Sequence, residues 1–268
     1  MFFKYIKLVL PLLFISSIFF VNQNLSTGCD TCGIGGFGGG QGSLRGQSAF
    51  SAQTQEKNQL SIGFLYEYQD WKHNDPIKAS LQNGEGRHGH SRRSDSVYNT
   101  IIGYGVTDKL TLTLQFPFVT RETRQTEDSD FIGQSERSSG QGDTIAFGKY
   151  RFYDKLFGAT AILGVKAPTG RTTETDKQGD RFEPEEQPGT GSTDFLFGLA
   201  MNKTFGKFTV NGSLLYQLKG SGTQDYEFGD IVRTSLMGAY TIKERGKYPG
   251  VQLLSGVNAQ FMEKDHEN

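Results

Sequence analysis

The residues best able to do chemistry lie between the regular parts of this chain. His73, His88 and His90 share one polar stretch with Asp75, Glu85 and Asp95, and a His-x-His beside carboxylates can ligate a metal ion. Arg87, Arg92 and Arg93 crowd the same stretch and oppose a bound cation, so it reads as a solvated loop. Glu127, Asp128 and Asp130, then Glu183, Glu185 and Glu186, are clusters that could take a divalent ion or calcium bridging lipopolysaccharide. A charge run on a wet loop is the plainer reading. Cys29 and Cys32 form a Cys-x-x-Cys, but Gly33 stands where haem attachment needs His, and no βα pattern follows to make a redox motif. A small disulfide between Cys29 and Cys32 and lipidation of Cys29 both stay open. No nucleophile elbow, phosphate loop or dinucleotide fingerprint occurs. All four His fall in loops or at the terminus. No catalytic residue, metal site or cofactor is therefore assigned, and the chain is not read as an enzyme.

A second set of charges is harder to dismiss, because it sits inside regular rows. Glu67, Lys149, Arg151, Lys166, Asp194, Lys219 and Arg233 alternate with apolar or aromatic neighbours. What could tolerate charge there depends on the elements that carry them. From Gln59 onward the period is two. Leu60, Ile62, Phe64, Tyr66 and Tyr68 form one face of a strand, and Ser61, Gly63, Leu65, Glu67 and Gln69 form the other. The pattern returns at Leu110–Phe118, Phe195–Met201, Phe208–Leu218 and Val251–Phe261, and more weakly at Val97–Val106, Thr144–Tyr153, Phe157–Pro168 and Ile231–Ile242. The reading is nine strands, each about the nine to eleven residues that a tilted strand needs to cross a bilayer.

The links between strands carry a second signal. Lys72–Asp95, Thr120–Gly142 and Thr169–Gly191 are long and polar, whereas Thr107–Lys109, Asp154–Leu156 and Phe205–Lys207 are short, and the two kinds alternate. Outer-membrane barrels have short periplasmic turns and long outward loops. Lipid offers no hydrogen bonds, so a spanning sheet must close, giving every strand a lipid face and a lumen face. Such a protein needs only half its strand residues to be apolar, which suits a mean hydropathy of −0.48, 35% apolar residues and 12% aromatics. A net charge of −1 argues against nucleic acid as a partner. A soluble sandwich would bury the inward charges in a dry core at high cost. A soluble barrel of reversed polarity stays as the alternative.

The chain organisation follows. Residues 1–28 read as a signal peptide, with Lys4 and Lys7 before the apolar stretch Leu8–Val21, which is shorter than the roughly twenty residues of a spanning helix. Residues 29–58 form a glycine-rich segment that is a plug or a linker. Residues 59–268 form the barrel. Nine is an odd number where single-chain bacterial barrels have even ones, and Glu263–Asn268 is polar, so the expectation is a C-terminally incomplete barrel.

The segments Val165–Gly170 (VKAPTG) and Pro188–Phe195 (PGTGSTDF), with the Gly103–Leu110 hairpin and the early Cys-x-x-Cys, resemble transporter-type outer-membrane barrels labelled for the meta-pathway of phenol degradation. The resemblance implies an up-and-down barrel of about twelve strands and passage of small organic molecules. It implies no catalytic residues. In this motif Pro168 ends a strand, Thr169 and Gly170 start an outward loop, and Gly189 and Gly191 permit its tight return. Asp194 then faces Lys166 across neighbouring strands, an expected lumen ion pair. The expected partners are outer-membrane lipid and lipopolysaccharide, the barrel-assembly machinery and small solutes, at the cell outer membrane. A structural or adhesion barrel without transport is the other reading.

Overall fold

The computed structural model describes residue 49 and residues 51–72, 90–125, 135–243 and 251–267. The signal segment, Cys29, Cys32, His73, His88 and the acidic cluster at Glu127–Asp130 lie outside the described residues. The described elements are β1 (Leu60–Lys72), β2 (His90–Thr107), β3 (Leu110–Gln125), β4 (Ser135–Gln141), β5 (Thr144–Asp154) and β6 (Gly158–Ala167). After a long loop come β7 (Asp194–Phe205), β8 (Phe208–Leu218), a 3-10 turn (Thr223–Asp225), β9 (Tyr226–Glu227), β10 (Ile231–Lys243), β11 (Val251–Met262) and β12 (His266–Glu267). No helix among the described residues is long and apolar enough to cross a membrane, which says nothing of strands.

The long strands pair antiparallel in the order β1-β2-β3-β5-β6-β7-β8-β10-β11, with β4 beside the far end of β3. β9 and β12 form a separate two-stranded ribbon. The neighbours are consecutive along the chain, as in an up-and-down meander. Gly206, at φ +59, turns β7 into β8 in a link of two residues.

Register decides the faces. Ile62 pairs with Ile102, and Tyr66 with Tyr98, so one side of the sheet carries an unbroken aromatic and aliphatic surface. That side faces outward: Phe64 is 72% exposed, Leu163 62% and Phe261 67%. The opposite side is interior, with Lys149 and Asp194 fully buried. The sheet curls, because Glu67 on β1 lies within the field of Arg233 on β10, though six strands along the path separate them. The polarity is that of a barrel wall in lipid, and the reversed barrel is excluded.

Several boundaries differ from the sequence reading. β2 begins at His90 and β3 runs to Gln125, so Arg92, Arg93 and Asp95 stand on a strand and not in a loop. β4 lies within the Thr120–Gly142 stretch that the sequence presents as a loop, yet it pairs with β3 from Phe118↔Gln141 to Arg124↔Ser135. The wall therefore rises above its apolar band on this side. Glu183–Glu186 is not a solvated charge run either, for Glu186 and Gln187 are buried.

Candidate functional site

The interior is furnished from both ends. At the short-turn end, residues 51–58 run inward before β1 starts. Thr54 Oγ1 donates to Asp108 O at 2.6 Å, and the Lys57 N–H donates to Asp108 Oδ1 at 2.9 Å, which ties this strap to the turn between β2 and β3. Gly105 has no Cβ because the Glu56 carbonyl occupies its place; a Cβ there would come within 2.0 Å of that oxygen. Deeper in, the Gln55 N–H donates to Thr111 Oγ1 at 2.8 Å, Lys149 Nζ donates to Gln53 O at 2.8 Å, and Thr160 Oγ1 donates to Ala52 O at 2.5 Å. The strap's backbone, which has no sheet partner, thus finds its partners on three strands of the wall. Ala49 and Ala52 pack on Ile145, Phe147, Ile162, Leu196, Ala200 and Leu215. These wall residues point inward, so the inner face is apolar where the strap packs on it. Their signal was present in the sequence as Leu196 and Leu215, apolar residues out of phase with the outward rows.

At the long-loop end, residues 168–193 fold over the interior. Here the VKAPTG and PGTGSTDF segments meet. Gly170 and Gly189 cross backbone to backbone, and a Cβ on either would approach the other's atoms to 2.6 Å. Gly191, at φ +71, makes the return into β7. Pro168 follows β6, and Thr169 Oγ1 accepts from the Thr144 N–H at 2.9 Å, closing the β5–β6 rim. The Arg121 guanidinium donates to Glu185 O, and Ser138 Oγ donates to Glu186 O. β3 and β4 therefore hold the loop from the neighbouring stretch of wall.

Beneath this loop lies a buried charge network. Lys166 Nζ is 3.0 Å from Asp143 Oδ2 and 3.1 Å from Asp194 Oδ2. It also donates to Thr190 Oγ1, and to Ser192 Oγ at 3.0 Å. Lys219 Nζ lies 3.2 Å from Asp194 Oδ2. Asp194 further accepts from Ser192 Oγ and Gln217 Nε2, both at 2.7 Å. Asp143 accepts from the Gly170 N–H and the Thr190 N–H, each at 2.9 Å. Two lysines and two aspartates thus compensate each other and tie both ends of the loop to the wall. Arg233 continues the row, donating through Nε to Gln260 Oε1 at 2.8 Å and through Nη1 to Gln217 Oε1 at 3.2 Å.

Of the seven inward charges read from the sequence, Lys166, Asp194, Lys219 and Arg233 share this network, and Glu67 lies within the field of Arg233. Lys149 holds the strap instead, and Arg151 sits near the short-turn rim, 2.5 Å from Asp154. Asp143 is the important residue that the sequence reading did not find. It lies in the Gly142-Asp143 link between β4 and β5, where an acidic residue looks like ordinary turn chemistry.

Above the rim, the Tyr226 hydroxyl, with one proton to donate, lies between two carboxylate acceptors, Glu185 Oε1 at 2.9 Å and Asp265 Oδ2 at 2.7 Å. Burial raises its pKa above the ordinary phenol value, and the two carboxylates raise it further. Among the described residues, no three His, Cys, Asp or Glu side chains are grouped to hold a metal ion.

No family model and no curated protein matches the chain. Among solved structures, an outer membrane channel from Pseudomonas putida F1 matches with a TM-score of 0.54 at 18% identity, covering 81% of this chain and 77% of that one. At that identity the likeness is one of fold. The chain has the all-β, antiparallel, barrel-like fold of an outer-membrane channel.

Proposed function

We propose that the protein is an outer-membrane channel for small organic solutes, its lumen narrowed by its own N-terminal segment. Residues 1–28 direct export, residues 29–58 supply the plug, and the strands from residue 59 onward form the wall. The observation that carries this reading is the inverted polarity: the Leu, Phe and Tyr rows face out while Lys149, Lys166, Asp194 and Arg233 are buried inside. Only a wall between lipid and a polar interior gives that arrangement a favourable energy. Glu67, Lys149, Arg151, Lys166, Asp194 and Arg233 set the electrostatics of the lumen. Membership of the barrels labelled for phenol degradation belongs to the same proposal and rests on VKAPTG and PGTGSTDF.

A barrel with a filled interior and no transport is the second reading, favoured by the strap and the inward loop. Planar-bilayer conductance of the full chain separates the two. Discrete single-channel steps are expected, and Ala52→Trp, which cannot fit where Ala52 is fully buried, should dislodge the strap and enlarge them. Silence from both proteins, folded and inserted, would decide for the filled barrel.

A further inference from the structure

The loop of residues 168–193 leaves β6 and returns to β7, two strands that are neighbours in the sheet. Two adjacent feet alone make a hinge, and a loop on such a hinge can swing off the rim as readily as over it. Here the feet are drawn closer still. Gly170 and Gly189 cross so tightly that neither position has room for a Cβ, and the Gly189 N–H donates to Arg171 O at 2.8 Å. The loop stands on a single stalk.

What holds the stalk comes from outside the two strands that it joins. Asp143, in the link between β4 and β5, is 6% exposed. Its Oδ1 accepts from the Gly170 N–H, on the outgoing foot, at 2.9 Å. Its Oδ2 accepts from the Thr190 N–H at 2.9 Å and from Thr190 Oγ1 at 2.6 Å, on the returning foot. One carboxylate therefore spans both feet, and Lys166 Nζ, 3.0 Å from Oδ2, balances its charge. Lys166 and Asp194 touch the returning foot alone, through Thr190 and Ser192. Beyond the stalk the loop is laid on the side away from lipid. Arg121 and Ser138, both buried, hold Glu185 O and Glu186 O. From the link after β8, the Thr223 N–H donates to Thr190 O at 2.9 Å and Gln224 Nε2 donates to Phe182 O at 3.1 Å.

We propose that residues 168–193 are the size filter at the loop end of the channel, and that Asp143 is the positioning residue that fixes the filter in place. The inference rests on the channel reading above and adds what limits its width. Asp143 acts through the stalk: its hydrogen bonds to two backbone feet are charge-assisted, and such bonds are the strong ones. With the pin in place the loop is a fixed constriction. Without it the stalk turns and the passage widens.

The test records single-channel conductance of the full chain in planar bilayers in potassium chloride, with poly(ethylene glycol)s of increasing mass as size probes. Only folded, inserted molecules are counted, so a loss of stability alone does not move this reading. Asp143→Ala removes the pin, and Gly189→Ala pries the crossing apart without changing any charge. Both should raise the unit conductance and shift the polymer cut-off to larger mass. Lys166→Met, which leaves both feet on Asp143, should keep the wild-type conductance and cut-off although it weakens the fold. In Asp143→Ala the Gly170 and Thr190 amides should exchange with deuterium about tenfold faster, the factor for one hydrogen bond to a charged group. A wild type that is silent while Asp143→Ala and Gly189→Ala conduct supports the filter in its tightest form. Wild-type conductance and cut-off in both of those variants overturn the filter and leave the channel standing. Equal widening in Lys166→Met overturns the role given to Asp143. Absence of conductance from the folded wild type and from both widening variants overturns the channel reading and the filter with it. Heat-modifiable migration on gels establishes that each variant is folded.

Discussion

Lys166 shows why a lumen can hold charge that a dry core cannot. Its ammonium has two carboxylates and two hydroxyls within bonding distance, so all its donors are used. Removing it would leave Asp143 and Asp194 facing each other's side of the network with one cation fewer. Breaking a buried pair in this way costs about 3–5 kcal/mol. Lys166→Met should therefore lower the unfolding free energy from urea titration by that amount, read from heat-modifiable migration. A loss below about 1 kcal/mol, the range of a surface pair, would place these charges in water. Asp143 and Lys166 also mark the limit of what the sequence reveals about the site. Lys166 stands in a strand with visible alternation, so its inward direction could be read. Asp143 stands in a two-residue link, where nothing in the local pattern distinguishes a rim clamp from a solvated turn.

The elements divide by how many environments touch them. The nine long strands are legible because lipid on one side and polar interior on the other impose a period of two. β4, Ser135–Gln141, has no lipid on either side; its sequence SERSSGQ is polar throughout, and nothing alternates strongly enough to announce a strand. β5 gave a weak signal for the opposite reason, because Ile145 and Phe147 point inward to the strap while Tyr150 and Phe152 point out. The strap itself has no period, since its backbone bonds to side chains and not to a ladder. At the mouth, β9 and its loop depend on Tyr226 as a neutral donor. Its pKa is raised in the folded protein, so the bound phenol stays protonated while an unfolded one ionises near pH 10. The unfolded state then holds fewer protons, and stability contributed here is complete below about pH 10 and declines above it. The alkaline slope of unfolding free energy against pH should flatten in Tyr226→Phe. An unchanged slope would mean that the hydroxyl is open to water.

For the whole molecule the controlling fact is which side meets lipid. Phe197 lies inside β7, on the outward row, whereas Leu156 sits in the short turn between β5 and β6 and is 74% exposed. An arginine at the bilayer midplane of a barrel costs about 2–4 kcal/mol, falling to about 0–1 near the interface. Phe197→Arg should accordingly reduce the folded fraction in lipid vesicles sharply, and Leu156→Arg should leave it almost unchanged. Equal effects at the two positions would contradict a lipid-facing wall.

The crossing of Gly170 and Gly189 has a consequence for how this molecule could be altered. Because the chain returns to the point it left, residues 171–188 form an Ω-shaped excursion whose feet are fixed independently of its tip. At that tip, Asp176 Oδ1 accepts from the Gln178 and Asp180 N–H groups, and Gly179, at φ +92, has open space around it. Extra sequence spliced in beside Gly179 would lengthen a closed loop at small entropic cost and leave the feet in register. The same barrel could then carry a foreign epitope or affinity tag on its loop side, a display scaffold obtained without rebuilding the wall.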